Sequence, residues 1–200
     1  MTEVLLWIGV ATTVLFGTVV AIEGARRPGY RWKYHTGSEL ELGEGGWIMR
    51  WTFVGMSVGM TAYAVAILDA LSTVVGFVCL GAFAVGNLLS GVFTPDAVRG
   101  FPPRFSVRTA TQLPSVHARI HDACGPLMFL ALLGGCVAVS TALDGWLSAY
   151  SAVTAVIGFA LMVCTAVAYS RDAALTGLVQ RLLLAVYYVW IVVIGVSLAA

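Results

Sequence analysis

The chain has 200 residues, of which 60% are hydrophobic and only 10% are charged, with a formal net charge of +1. A soluble domain is usually about half apolar and about a quarter charged, so this composition excludes an ordinary soluble domain. Because the sequence shows no basic surface of the kind that binds nucleic acid, we expect no nucleic-acid partner.

Six apolar stretches are each long enough to cross a bilayer, which takes about 20 residues in a helix. Lipid offers backbone groups no hydrogen-bond partners, so each stretch must be helical. The sequence therefore predicts an all-α polytopic membrane protein, a single transmembrane domain over residues 1–200 surrounded by the lipid bilayer. The predicted spans cover residues 4–22, 47–68, 70–93, 124–143, 146–169 and 182–199.

The basic residues indicate how the predicted bundle is oriented. All 11 Lys and Arg residues lie in or beside the loops after spans 1, 3 and 5, whereas the turns at Asp69 and Asp144 carry none. Cytoplasmic loops are enriched in Lys and Arg. We therefore predict a multi-pass protein of the cytoplasmic (inner) membrane with both termini outside and the functional loops in the cytoplasm.

Polar side chains from four separate segments are predicted to meet at this cytoplasmic end. Ionisable groups at membrane depth are costly and tend to be functional. His117 and His121 are i and i+4, on one face of the helix that opens span 4, and Asp122 is about 100° further round. The candidate catalytic residues are Glu39, Asp96, His117, His121 and Asp122. The candidate substrate contacts are Ser38, Trp51, Arg119, Gln180 and Arg181.

A metal site is one chemistry that these residues suit. Two His residues at i and i+4 with a distant third ligand are an ordinary zinc arrangement. His117 and His121 would then be joined by His35, or by Asp96 or Asp122. This hypothesis favours a zinc-dependent hydrolase, and the sequence leaves open whether zinc, magnesium or no cofactor is bound.

General acid–base chemistry is the other possibility. Carboxyl groups in a partly desolvated pocket have raised pKa values and act as general acids. Asp96, Asp122 or Glu39 would protonate a lipophilic small-molecule substrate, and one of the paired histidines would be the base. Arg181 and Arg119 would hold an anionic headgroup, with aromatic side chains lining an apolar pocket.

Four ordered motifs resemble those of a known family, the six-span prokaryotic membrane family catalogued as domain of unknown function 998. The resemblance covers roughly residues 5–198, and it implies six spans and a shared polar site without implying an activity. A longer Pro- and Arg-rich stretch between Asp96 and His117 departs from the family and suggests a specialised substrate. The matching motifs are Ser38-Glu39-Leu40, Phe93-Thr94-Pro95-Asp96, His117-Ala118-Arg119-Ile120-His121-Asp122 and Gly177-Leu178-Val179-Gln180-Arg181.

The preferred hypothesis is an intramembrane enzyme that uses general acid–base residues in a cytoplasm-facing pocket on a lipid or isoprenoid substrate, for example a membrane terpene cyclase. The alternatives are a zinc-dependent membrane hydrolase and a non-catalytic lipid-binding or proton-coupled transport protein. A transporter needs polar groups through the middle of the membrane, where this sequence has little beyond Asn87, Ser57 and Thr61. The sequence indicates neither the substrate's identity nor an oligomeric state.

Overall fold

The computed structural model describes residues 1–109 and 111–200, and in this part of the chain every regular element is helical. Six of these helices are long and apolar enough to cross a membrane, which confirms the predicted all-α multi-pass bundle. The helices are α1 (Thr2–Arg26), α2 (Gly46–Leu71), α3 (Val74–Val92), α4 (Val116–Ala142), α5 (Gly145–Ser170) and α6 (Thr176–Ala199).

The helices pack in a closed ring. Each contacts the next in sequence, and α6 also packs against α1. Two buried hydrogen bonds join α6 to other helices. The hydroxyl of Tyr63 in α2 donates to the carbonyl oxygen of Ile191 at 2.9 Å, and the indole N–H of Trp190 donates to Oγ of Ser151 in α5 at 2.9 Å. Large aromatic side chains can fill the bundle centre because their polar atoms have partners there.

Gly59 allows close contact between α1 and α2. Gly55 and Gly59 form a GxxxG pattern, in which small residues allow two helices to approach closely. A Cβ atom at Gly59 would lie 1.8 Å from Oγ1 of Thr12 and 2.6 Å from its Cβ, whereas a Cβ atom at Gly55 would meet nothing within 4 Å. Of these two glycines, Gly59 is therefore the one that serves helix packing.

The helices α4 and α6 begin earlier than the predicted spans, at Val116 and Thr176. Their first turns are too polar to belong to an apolar run, yet they remain helical. Ser115 caps α4, since its side chain accepts a hydrogen bond from the backbone N–H of Ala118 at 3.0 Å. Such a cap satisfies one of the free N–H groups at a helix start.

The turn between α2 and α3 lies at Ser72 and Thr73 rather than at Asp69. Asp69 is still inside the last turn of α2, where its carboxylate accepts a hydrogen bond from the hydroxyl of Thr2. The turn at Asp144 lies where it was predicted, directly before α5.

The three charged loops meet at one end of the bundle. The guanidinium of Arg99 donates to the carbonyl oxygen of Tyr34 at 3.0 Å and lies 3.6 Å from the Asp172 carboxylate, so all three loops are joined. The loop between α1 and α2 folds inward as a short 3-10 helix, Gly37–Glu41, which packs against α1, α2 and α6. Its Leu40 is fully buried. Which side of the membrane this end faces stays a prediction.

Candidate functional site

We call the loop between α1 and α2, residues 27–45, the inward loop. A cavity of about 330 Å³ opens where it meets the helices. We call this cavity the outer chamber. It shares part of its lining with a narrower, largely apolar space of about 70 Å³ between the helices, which we call the inner chamber. His121 lines both chambers and so lies where they meet. Six of the predicted site residues line the outer chamber: Ser38, Glu39, Asp96, His121, Asp122 and Gln180.

Glu39 is held in the chamber wall by the start of the 3-10 helix. Its Oε2 accepts hydrogen bonds from the backbone N–H of Thr36 at 2.6 Å and from the hydroxyl of Thr36 at 3.0 Å. Its Oε1 is buried and has no hydrogen-bond partner among residues 1–109 and 111–200. Burial raises the pKa of Glu39, although the Thr36 hydrogen bonds and the charges of Arg99 and Arg181 oppose the rise. The free oxygen is therefore the natural position of a proton.

His121 has a defined tautomer. Its Nδ1 lies 2.7 Å from the carbonyl oxygen of Phe93, and a carbonyl oxygen can only accept, so Nδ1 carries the hydrogen. Nε2 is then the unprotonated nitrogen, with a lone pair that can take a proton. The side chain is 6% exposed and lies at the end of α3 nearest the charged loops.

Glu41 is a site residue that the sequence analysis did not select. It is 3% exposed, and neither of its carboxyl oxygens has a hydrogen-bond partner in the described residues. Its Oε1 lies 3.8 Å from Nδ1 of His121. Burial raises the pKa of Glu41 to about 9, against the opposing charge of Arg50. Glu41 is therefore protonated at neutral pH, next to the candidate base.

Asp96 is fixed by two partners. Its Oδ2 accepts a hydrogen bond from the backbone N–H of Ser115 at 3.0 Å, and the same oxygen lies 3.2 Å from Nε of Arg108. Asp96 therefore holds the start of α4 and pairs with Arg108.

The structure does not support His35 as a metal ligand. Its Nδ1 accepts a hydrogen bond from the backbone N–H of Arg31 at 2.9 Å, and its Nε2 lies 3.2 Å from the carbonyl oxygen of Arg99. Both ring nitrogens are thus taken up by the backbone. Within residues 1–109 and 111–200, no three His, Cys, Asp or Glu side chains are grouped so that they could hold a metal ion. The predicted set of His35, His117 and His121 is not assembled.

Arg181 has a structural role in place of the predicted anion contact. Its guanidinium donates to the carbonyl oxygens of His35 and Gly177, each at 2.9 Å, and to the hydroxyl of Tyr30. These hydrogen bonds fasten the inward loop to α6. Because its donors point at this loop, the side chain is not part of the chamber lining.

Three other predicted site residues face away from the chambers. Trp51 is 68% exposed on α2, so it lies on the outer surface of the bundle rather than in a pocket. Arg119 is exposed. His117 is also exposed and packs its ring against Phe93 at 5.3 Å between centroids. A helix turns about 100° per residue, so only part of the 117–122 segment can line the cavity.

Comparison with known proteins gives a family without an activity. No curated protein and no solved structure matches the chain. Residues 10–197 match the family described as "Protein of unknown function (DUF998)". The match spans nearly all six helices and every residue of the two chambers, as the sequence motifs predicted. The chain therefore belongs to the DUF998 family.

Proposed function

We propose that this protein is an intramembrane enzyme that applies general acid–base chemistry to a lipid or isoprenoid substrate. The excess of Lys and Arg in the loops at the site's end favours a cytoplasmic position for the cavity, in the cytoplasmic membrane. The observation that carries the proposal is one cavity lined both by Glu39, whose buried Oε1 has no partner in the described residues, and by His121, whose Nε2 is the unprotonated nitrogen.

The shape of the cavity suits an amphiphile. Both chambers are lined largely by apolar and aromatic side chains, and the acidic side chains lie in the outer chamber. A polar head fits the outer chamber and a hydrocarbon chain the inner one, since ligand sites pair apolar walls with a few placed polar groups. Phe129 of α4 and Met162 of α5 line the outer chamber, which favours entry of a lipid from the bilayer between these two helices.

Oε1 of Glu39 and Nε2 of His121 suggest separate roles. Glu39 would donate the proton on Oε1 to a carbon–carbon double bond, so that an O–H bond breaks, a C–H bond forms and the substrate becomes a carbocation. Nε2 of His121 would remove a proton from a neighbouring carbon and so create a new double bond. An isomerisation or a cyclisation results, and aromatic walls stabilise the passing cation.

Deuterium incorporation tests this function without knowledge of the substrate. The purified protein is incubated in D₂O with a membrane lipid extract, and the lipids are analysed by chromatography and mass spectrometry. Acidic protons exchange with D₂O, so every turnover places a deuterium on carbon. We expect a labelled lipid that the wild type produces and that Glu39→Gln and His121→Asn both abolish, because Asn keeps a donor for Phe93 but has no basic nitrogen.

The control for this assay is Asp144→Asn, which removes an exposed carboxylate far from the cavity, at the turn before α5. It should label lipid as the wild type does. If neither carbon-bound deuterium nor a new lipid product depends on Glu39, the enzymatic proposal is wrong. Lipid that remains bound through purification would then favour a lipid-binding protein.

A further inference from the structure

We infer that the outer chamber takes an amphiphile whose polar end is a protonated primary amine, held by the carboxylate of Asp122. This inference rests on the proposed function, because it names the substrate class of the same cavity. It follows from the acceptors that the folded chain leaves free, from a hydrogen bond that α4 lacks, and from the positions of the arginines.

Asp122 is an acid without a cation. It lies on the exposed side of α4 and lines the outer chamber. No ion pair in residues 1–109 and 111–200 involves it. Arg108, the one arginine in the lining of this chamber, lies 3.2 Å from the carboxylate of Asp96. The Asp122 carboxylate is therefore open to a cation from the ligand.

Pro126 adds a second acceptor at the same place. It lies inside α4 and lines the outer chamber. Proline has no N–H, so it cannot make the helical hydrogen bond to the residue four positions earlier, which is Asp122. The carbonyl oxygen of Asp122 thus lacks its usual helical partner. A primary ammonium carries three N–H donors and no acceptor, which matches this pair of acceptors.

Glu39 provides independent evidence that the chamber receives a ligand. Its side chain is buried at 4% exposure, and its Oε1 has no partner within the described protein. A buried polar atom without a partner costs roughly 1–3 kcal/mol. A ligand atom in the chamber relieves that cost, and Glu39 remains available as the proton donor while Asp122 carries the negative charge.

Arg181 and Arg99 do not offer an anionic head free donors, because carbonyl and hydroxyl oxygens of the protein already accept from them. Arginine recognises a phosphate through free N–H groups in a fork. Arg181 donates to two carbonyl oxygens and one hydroxyl. Arg99 donates to the carbonyl oxygens of Tyr34 and Tyr169 at 3.0 and 3.4 Å. A phosphate in the outer chamber would meet the Asp122 carboxylate instead, and like charges repel.

Photoaffinity labelling tests the head group directly. Three probes share one long alkyl chain with a photoreactive group and differ only in the polar end: a primary amine, an alcohol and a phosphate monoester. Each is added to the full-length protein in lipid nanodiscs, and the labelled peptides are mapped by mass spectrometry. We expect the amine to label the α4 and α5 peptides around Phe129 and Met162 most strongly, and unlabelled alkylamine to compete best.

Asp122→Asn is the decisive variant. It keeps the size of the side chain and removes only the charge, so we expect amine labelling to fall about tenfold or more, as for loss of a hydrogen bond to a charged group. Labelling by the alcohol should stay within about twofold. Asp144→Asn is the matched control, and it should leave all three probes unchanged.

The outcomes separate this inference from the proposed function. Equal or stronger labelling by the alcohol or the phosphate, or unchanged amine labelling in Asp122→Asn, overturns the ammonium head even if deuterium incorporation persists. Amine labelling that depends on Asp122 without any deuterium incorporation supports the head group and rejects the enzyme. Glu39→Gln should abolish deuterium incorporation while it retains most amine labelling, which separates the acid from the head-group contact.

Discussion

Replacing Glu41 with Gln should remove a large pH dependence from the stability of the bundle. Burial raises the pKa of this carboxyl from its ordinary 4.5 to about 9, and the side chain is fully shielded from solvent. The folded protein must therefore keep a proton that the unfolded chain releases above pH 4.5. Stability is highest below that pH and falls as pH rises through about 9. The slope is about 1.4 kcal/mol per pH unit, so the cost at pH 7 is about 3 kcal/mol.

The free energy of unfolding, measured in nanodiscs at about pH 5.5, 7 and 8.5, tests this reasoning. The wild type should lose stability across the series, whereas Glu41→Gln, whose amide does not titrate, should lose much less. Glu44→Gln is the matched control because Glu44 is an exposed residue of the same loop, and it should follow the wild type. Parallel curves for the wild type and Glu41→Gln would show that Glu41 is not a buried, protonated acid.

Three further predictions follow from the packing. Gly59→Ala should lower the free energy of unfolding by roughly 1–3 kcal/mol through overpacking, whereas Gly55→Ala should leave it unchanged or slightly higher, since alanine is the better helix former. Phe53→Ala enlarges the inner chamber and should reduce deuterium incorporation, while Trp51→Ala, on the outer surface, should not. Arg181→Lys loses the forked donors that fasten the inward loop, so limited proteolysis should cleave that loop faster than in the wild type.

The helices could be predicted from the sequence because membrane crossing imposes a long apolar run, and this chain contains six. Their ends at the charged loops could not be predicted in the same way. The first two turns of α4 and α6 contain Arg119, Asp122, Gln180 and Arg181, which end the apolar pattern although the backbone stays helical. Capping by Ser115 decides where α4 begins, and hydropathy does not detect a cap.

The candidate site could be predicted only in part, because burial of a loop residue depends on contacts with distant segments. Glu41 and Glu44 are equivalent in the sequence, yet the first is buried and the second exposed. The difference arises because long-range contacts hold the 3-10 helix, which contains Glu41, against α1, α2 and α6. One of them is the hydrogen bond from the backbone N–H of Gly37 to the side-chain oxygen of Gln180 at 2.9 Å. Neither local spacing nor composition reports such a contact.

The charge of the loops and the charge of the cavity differ for a physical reason. Lys and Arg residues are concentrated in the three loops at one end of the bundle, which suggests an anionic headgroup as ligand. Folding uses the forked donors of Arg99 and Arg181 to satisfy backbone carbonyls of the inward loop, and Asp96 neutralises Arg108. The acid that has no such partner, Asp122, then determines the ligand's charge. The headgroup that a membrane cavity selects therefore depends on which ionisable groups remain free after folding, not on how many of each sign the loops contain.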